Sequence, residues 1–109
     1  MNALSEAAFD ILLSLAGGPC HGYAMVQDIE KRREGRTMQP GLLYTTLPKL
    51  LDAKLIELAP APPDNTDKRR RYYQLTFLGR QGVRVEADRR LAMARKISEI
   101  AGGMNGSFA

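Results

Sequence analysis

A chain of 109 residues with 44% hydrophobic and 26% charged side chains has the size of one domain and the make-up of an ordinary globular protein. Its longest apolar runs, such as Ile11 to Ala16, fall far short of the ~20 residues a bilayer helix needs, and a lone cysteine, Cys20, excludes an internal disulfide. The net charge of +4 is uneven: residues 1–59 hold six Lys/Arg against seven Asp/Glu, and residues 60–109 hold ten against five, so the second half offers either a solvated basic surface or a site for a polyanion.

The first predicted element is a helix. Leu4, Ala8, Ile11, Leu12 and Leu15 recur at helical spacing. Ser5 is placed to cap it, although Ala8 supplies no reciprocal capping-box side chain, and Gly17-Gly18-Pro19 end it. No basic segment followed by an apolar run stands near Met1, so a cytoplasmic protein is expected. A shorter helix starts near Gly22 or Tyr23, with Tyr23, Val26 and Ile29 turned inward. Lys31, Arg32 and Arg33 suit its C-terminal end, where the dipole favours cations, and Gly35 stops it. Arg36 to Gln39 form a short extended link. Pro40 and Gly41 then open a third helix with Leu43, Leu47, Leu50 and Leu51 as its buried stripe. Pro48 lies inside that pattern and removes a hydrogen bond at a cost of ~3 kcal/mol. Because the pattern continues past it, one kinked helix is predicted rather than two.

Leu55 to Ala59 and Arg70 to Leu75 alternate as strands, and the Pro- and Asp-rich residues 60–68 make the pair a β-hairpin. Thr76 can cap a last, long helix that runs to about Ala101 despite Gly79 and Gly82. Leu91 and the series Met93, Ile97, Ile100 and Met104, spaced four, three and four apart, form an apolar seam on it that calls for a partner. The order helix, helix, helix, strand, basic loop, strand, helix is the layout of a winged helix-turn-helix, mainly α with a small β-hairpin. The expected division is residues 1–76 as a DNA-binding domain, 77–101 as a dimerisation helix and 102–109 as a flexible tail.

Enzymatic chemistry is poorly supplied. His21 and Cys20 are the only residues of their kinds. As neighbours they point apart, with no third group to orient a nucleophilic pair, and two ligands do not make a zinc site. No catalytic residue, metal or cofactor is expected. His21 is read as a turn or cap residue, standing where the first helix of such a motif meets phosphate.

Nucleic-acid chemistry is better supplied. The second helix of a helix-turn-helix enters the major groove with its N-terminal residues at base edges. Here that helix follows Pro40 and offers Tyr44, Thr45 and Thr46, with Lys49 one turn on. Thr reaches base edges or a thymine methyl, and Tyr reaches phosphate or sugar; the alternative is an ordinary solvated face. Lys68, Arg69, Arg70 and Arg71 fall at the hairpin tip. If strand alternation holds there, Arg69 and Arg71 face one side and Lys68 and Arg70 the other. They serve either as a DNA-contacting wing or as a charged edge that blocks strand aggregation.

Four stretches together resemble the PadR family of bacterial transcriptional regulators: Phe9-Asp10-Ile11-Leu12-Leu13, His21-Gly22-Tyr23, Pro40-Gly41-Leu42-Leu43-Tyr44, and Arg70-Arg71-Tyr72-Tyr73-Gln74-Leu75-Thr76 with Leu78-Gly79. Their order and spacing cover residues 4 to about 95, and the chain looks like the short subgroup with one C-terminal helix. The resemblance implies a homodimer joined through the last helix, which packs in part on the partner's first helix. It also implies repression by binding a double-stranded operator, relieved by a small aromatic or hydrophobic effector. Carried over by position, Tyr23, Tyr44 and the wing cations contact DNA. Pro48 departs from the family pattern, Phe77 stands where Pro often follows the cap, and the lack of Trp removes the aromatic-stacking drug site of some short members. The rival readings are a protein-binding adaptor on the same fold and a small enzyme using Cys20 and His21.

Overall fold

The computed structural model describes residues 4–36 and 38–103. These form α1 (Glu6–Leu15), β1 (Cys20–His21), α2 (Gly22–Arg32), α3 (Pro40–Asp52), β2 (Ile56–Ala59), β3 (Tyr72–Leu75) and α4 (Phe77–Gly103). The core gathers around α1. Ile11, Leu12 and Leu15 pack with Met25 and Ile29 of α2, with Leu43, Leu47 and Leu50 of α3, and with Leu55, Ile56, Tyr73 and Leu75 from the sheet side. Each large apolar side chain fully buried in this way contributes about 1.5–3 kcal/mol. Among the described residues, no helix is long and apolar enough to cross a membrane.

Local chemistry sets the helix ends. The Ser5 hydroxyl accepts the Ala8 N–H at 3.1 Å, satisfying an orphan donor of the first turn. At the end of α2 the backbone turns left-handed at Glu34 (φ 55°) and Gly35 (φ 90°), and the Gly35 N–H returns to the Glu30 carbonyl at 2.9 Å. Glycine takes this conformation without a Cβ penalty. Tyr23 does not face inward as the spacing suggested. It is 62% exposed, and Met25 fills the core position instead, because the buried row of α2 runs through Gly22, Met25 and Ile29, which leaves Tyr23 one residue out of phase with it.

α3 runs unbroken through Pro48, whose ring lies on the exposed side. Pro48 cannot donate to the Tyr44 carbonyl. One turn earlier, the hydroxyls of Thr45 and Thr46 both donate to the Leu42 carbonyl, at 3.1 and 2.6 Å. Thr46 was expected on the open face of α3. It is instead only 8% exposed, since it follows Leu43 by three positions and shares the buried stripe with Leu47 and Leu50.

The predicted hairpin has a third strand. β1 adds to its far side, giving the order β1-β3-β2, all antiparallel, with Cys20 opposite Tyr73 and His21 opposite Tyr72. β2 pairs β3 from Ile56 opposite Leu75 to Ala59 opposite Tyr72. β3 starts at Tyr72, not at Arg70. The Arg70 N–H turns back to the Asp67 carbonyl at 3.1 Å instead of joining the ladder, so the alternation expected for the four wing cations does not apply.

α4 is anchored at its start. The Thr76 hydroxyl accepts the Gly79 N–H at 3.0 Å and donates to the Lys54 carbonyl at 2.6 Å. Gly79 lies so close to β2's approach that a Cβ there would stand 1.9 Å from the Leu55 oxygen. Further on, Arg90 bonds Glu6 of α1 and Glu86 of α4, and its guanidinium lies 4.1 Å from the centre of the Phe9 ring. Glu86, 4% exposed, also accepts Arg89 at 2.5 Å; these hydrogen bonds, the Arg89 one first, hold its carboxyl below the usual glutamate range. From Leu91 to Ile100 every residue is exposed. At ~1.5 Å per residue α4 is about 40 Å long, within a molecule whose longest dimension is 56 Å. It continues through Gly102 and Gly103, two residues past the expected end and into the predicted tail, a shift of the size common at fraying helix termini. Met104 and the rest of that tail lie outside the described residues.

Candidate nucleic-acid interface

The N-terminus of α2, the first turns of α3 and the β2–β3 loop converge on one open groove of about 560 Å³, lined by His21, Gly22, Tyr23, Tyr44, Tyr73 and the loop residues Asp67, Arg69, Arg70 and Arg71. His21 organises the wall at α2. Its Nδ1 accepts the Ala24 N–H at 3.2 Å, capping the helix. That bond requires Nδ1 to be unprotonated, so in the neutral ring the proton sits on Nε2. Burial, then the nearby Arg70 charge, lowers the His21 pKa, while Asp67 opposes the shift. The ring stacks parallel to Tyr23 at 6.5 Å and meets Tyr72 edge-on at 5.3 Å.

Gly22 lets the two helices meet. A Cβ there would lie 3.1 Å from the Tyr44 hydroxyl and 3.3 Å from Leu43 Cδ2, so a side chain would crowd the Tyr44 ring. Tyr23 and Tyr44 are 62% and 60% exposed. They offer two hydroxyls at the mouth of the groove on rings that ordinary burial would have hidden.

The opposite wall is the wing. Asn65 ties it to the sheet: its Oδ1 accepts the Tyr72 hydroxyl at 3.2 Å and its Nδ2 donates to the Asp67 carbonyl at 2.9 Å. Arg69 pairs with Asp67 at 3.2 Å. Among the described residues, Arg70 and Arg71 make no ion pair and stand exposed in the groove wall.

Of the residues singled out in the sequence, the groove brings together His21, Tyr23, Tyr44, Arg69, Arg70 and Arg71. Thr45 and Lys49 are exposed on α3 outside it, and Lys68 is exposed at the turn before Arg69. Thr46 is buried. On α4, Leu91, Met93, Ile97 and Ile100 are 50–64% exposed. Sequence reasoning missed Gly22, Asn65, Asp67 and the β1 pairing that seats His21 beside Tyr72. The Asn-Thr-Asp run was a legible sign of side chains bonding a turn's own backbone; a two-residue strand leaves no periodicity to find. Cys20 is half-buried with its thiol donating to the His21 carbonyl at 3.4 Å, and burial raises its pKa, which opposes thiolate formation.

Residues 11–85 match the model of the transcriptional regulator PadR-like family. An uncharacterised 37.1 kDa protein from a transposon of Streptomyces fradiae is 32% identical over 97 residues, covering 89% of this chain; the chain spans only 26% of that protein's length. Among solved structures, a PadR family transcription regulator from Clostridium difficile superposes with a TM-score of 0.67 at 20% identity, over 92% of this chain and 98% of the other. BpsR of Bordetella bronchiseptica, described with the mechanism by which 6-hydroxynicotinic acid regulates its DNA binding, gives 0.61 at 22% identity, over 93% and 67%. With more than half of its length matched by the family model, the chain belongs to the PadR-like family of transcriptional regulators.

Proposed function

We propose that the chain is a sequence-specific, double-stranded-DNA-binding regulator acting in the cytoplasm as a homodimer and repressing transcription until a small effector releases it. The observation that carries the DNA reading is the single groove in which two exposed tyrosine hydroxyls face three consecutive arginines. Tyr23, Tyr44 and His21 Nε2–H supply neutral donors to phosphate oxygens, and Arg70 and Arg71 supply charge. Lys68 and Lys49 extend the cationic rim. Thr45, exposed near the start of α3, is the best-placed side chain to read a base edge. Thr46 is left out, since its hydroxyl is buried and engaged.

The dimer rests on Leu91, Met93, Ile97 and Ile100, an apolar seam open along α4, with Met104 continuing it in sequence. Two copies joined there would set their α3 helices about one turn of B-DNA apart, ~34 Å, on a pseudo-palindromic operator. The effector proposal draws on the likeness to BpsR, whose DNA binding 6-hydroxynicotinic acid regulates. A small hydrophobic or aromatic molecule is the class to test.

The test is binding to a genomic operator and to random duplex across a salt series. Several phosphate contacts per subunit make affinity fall steeply with salt. The double change Arg70→Ala, Arg71→Ala weakens both duplexes alike and flattens the salt slope by about one unit per lost phosphate contact. Unchanged affinity in that variant removes the wing from the interface.

A further inference from the structure

One carboxylate lines the same cationic groove. Asp67 takes three hydrogen bonds from a single residue: Oδ1 accepts the Arg69 backbone N–H at 3.0 Å and Nε at 3.2 Å, and Oδ2 accepts the second guanidinium nitrogen at 3.3 Å. A planar guanidinium forked across two oxygens is also how arginine holds a phosphate. The backbone fixes Asp67 from behind. Its carbonyl accepts Asn65 Nδ2 at 2.9 Å and the Arg70 N–H at 3.1 Å, and Asn65 is bonded in turn to Tyr72, which is buried in the sheet. The backbone of Asp67 is therefore held in the groove wall, and its carboxylate is held there by Arg69 alone. Arg69 itself is almost free of the protein otherwise, with 92% of its side chain exposed.

We propose that Asp67 is an internal stand-in for a DNA phosphate, which holds the Arg69 fork ready and must be displaced by the backbone, so that the wing binds more weakly than its arginines alone would allow. This rests on the reading of the groove as a DNA site. On binding, Arg69 exchanges one anion for another and gains little, while the released carboxylate is left facing phosphates of its own sign. The device acts on every sequence equally, because it touches no base.

Asp67→Asn separates charge from shape, since the amide oxygen still accepts the Arg69 N–H and keeps the turn. Binding of a labelled random-sequence duplex is measured by fluorescence anisotropy over a salt series for the wild type, D67N, D64N, R69A and the double variant D67N/R69A. Asp64 is exposed in the same loop and lies outside the groove lining, so D64N removes the same charge without the fork. The expected result is an affinity gain of about threefold for D67N at low salt, in keeping with the modest worth of an exposed pair, that shrinks as salt screens it. D64N gains clearly less, and the gain of D67N shrinks to the D64N level once Arg69 is gone, since only relief of phosphate repulsion is left. Equal gains in D64N and D67N reduce the effect to net charge and overturn the proposal. So does a D67N gain that R69A leaves undiminished, and so does weaker binding by D67N, which would make Asp67 a helper of Arg69. A wild-type chain that ignores the duplex overturns this proposal and the DNA reading together; one that binds while D67N matches it overturns this proposal alone.

Discussion

Gly79→Ala tests how α4 is seated. An added Cβ stands 1.9 Å from the Leu55 oxygen, 3.0 Å from its carbon and 3.2 Å from Leu75 Cδ2. The oxygen cannot step aside as a side chain would, because it accepts the Thr76 N–H at 3.1 Å and the Leu55 N–H is itself held by the Leu50 carbonyl at 3.0 Å. Helix propensity favours Ala over Gly by ~1 kcal/mol. Overpacking against fixed atoms costs ~1–3 kcal/mol or more, and a clash with backbone this deep belongs at the upper end. The net is a loss of about 2 kcal/mol, or roughly 8–16 °C in Tm for a domain of this size. Calorimetry on the two proteins at matched concentration measures it, matching being necessary because association shifts Tm. Gly41→Ala is the control: nothing lies within 4 Å of its added Cβ, and its Tm holds or rises. If G79A melts with the wild type, α4 does not dock through this contact and the packing argument fails.

Three further outcomes follow from the geometry. Thr45→Ala changes the ratio of operator to random-duplex affinity by ~1–3 kcal/mol if one base contact is lost, whereas Thr46→Ala leaves that ratio alone and shifts only Tm, by a few degrees; the same duplex titrations decide. Ile97→Asp, at a site 64% exposed in the single chain, spares the fold but sediments as a monomer, and a variant that stays dimeric moves the interface elsewhere. Glu86 has a folded-state pKa below its unfolded value through its bonds to Arg89 and Arg90. Its contribution is therefore fully present above the ordinary glutamate range and is lost as pH falls through the lowered value. Glu86→Gln is less stable at neutral pH and loses less of its stability between neutral and acid pH, which urea unfolding at both pH values checks.

Much of the fold was legible because its helices are long enough to show their period. Leu43, Leu47 and Leu50 announced α3 and survived the interruption at Pro48, since burial of that stripe outweighs one missing hydrogen bond. Ser5, Gly35 and Thr76 marked helix ends by chemistry that needs no tertiary context. The misplacements have local and tertiary causes. Thr46 was read as outward for its hydroxyl although it falls three positions after Leu43, and Tyr23 was put on an inward row one residue out of phase with Gly22, Met25 and Ile29. β1 is defined only by its partner strand. Arg70 and Arg71 continued the alternation of β3 in sequence, and only the Asp67 turn removes them from the ladder. In the groove, the basic and aromatic side chains stood out by their chemistry, while Gly22 and Asn65, whose value lies in what they let approach or hold in place, did not.

Arg90 grips α1 with two unlike hands. Its bond to Glu6 is open to water, with that carboxylate 67% exposed, whereas Glu86 and the face of Phe9 hold it from the shielded side. Dissolved ions weaken the outer grip far more than the inner one. The long helix then keeps its footing but gains freedom to swing about it. In the dimer proposed above, joined near the far ends of those helices, that play would let the two DNA-binding ends follow an operator whose halves are slightly over- or under-wound.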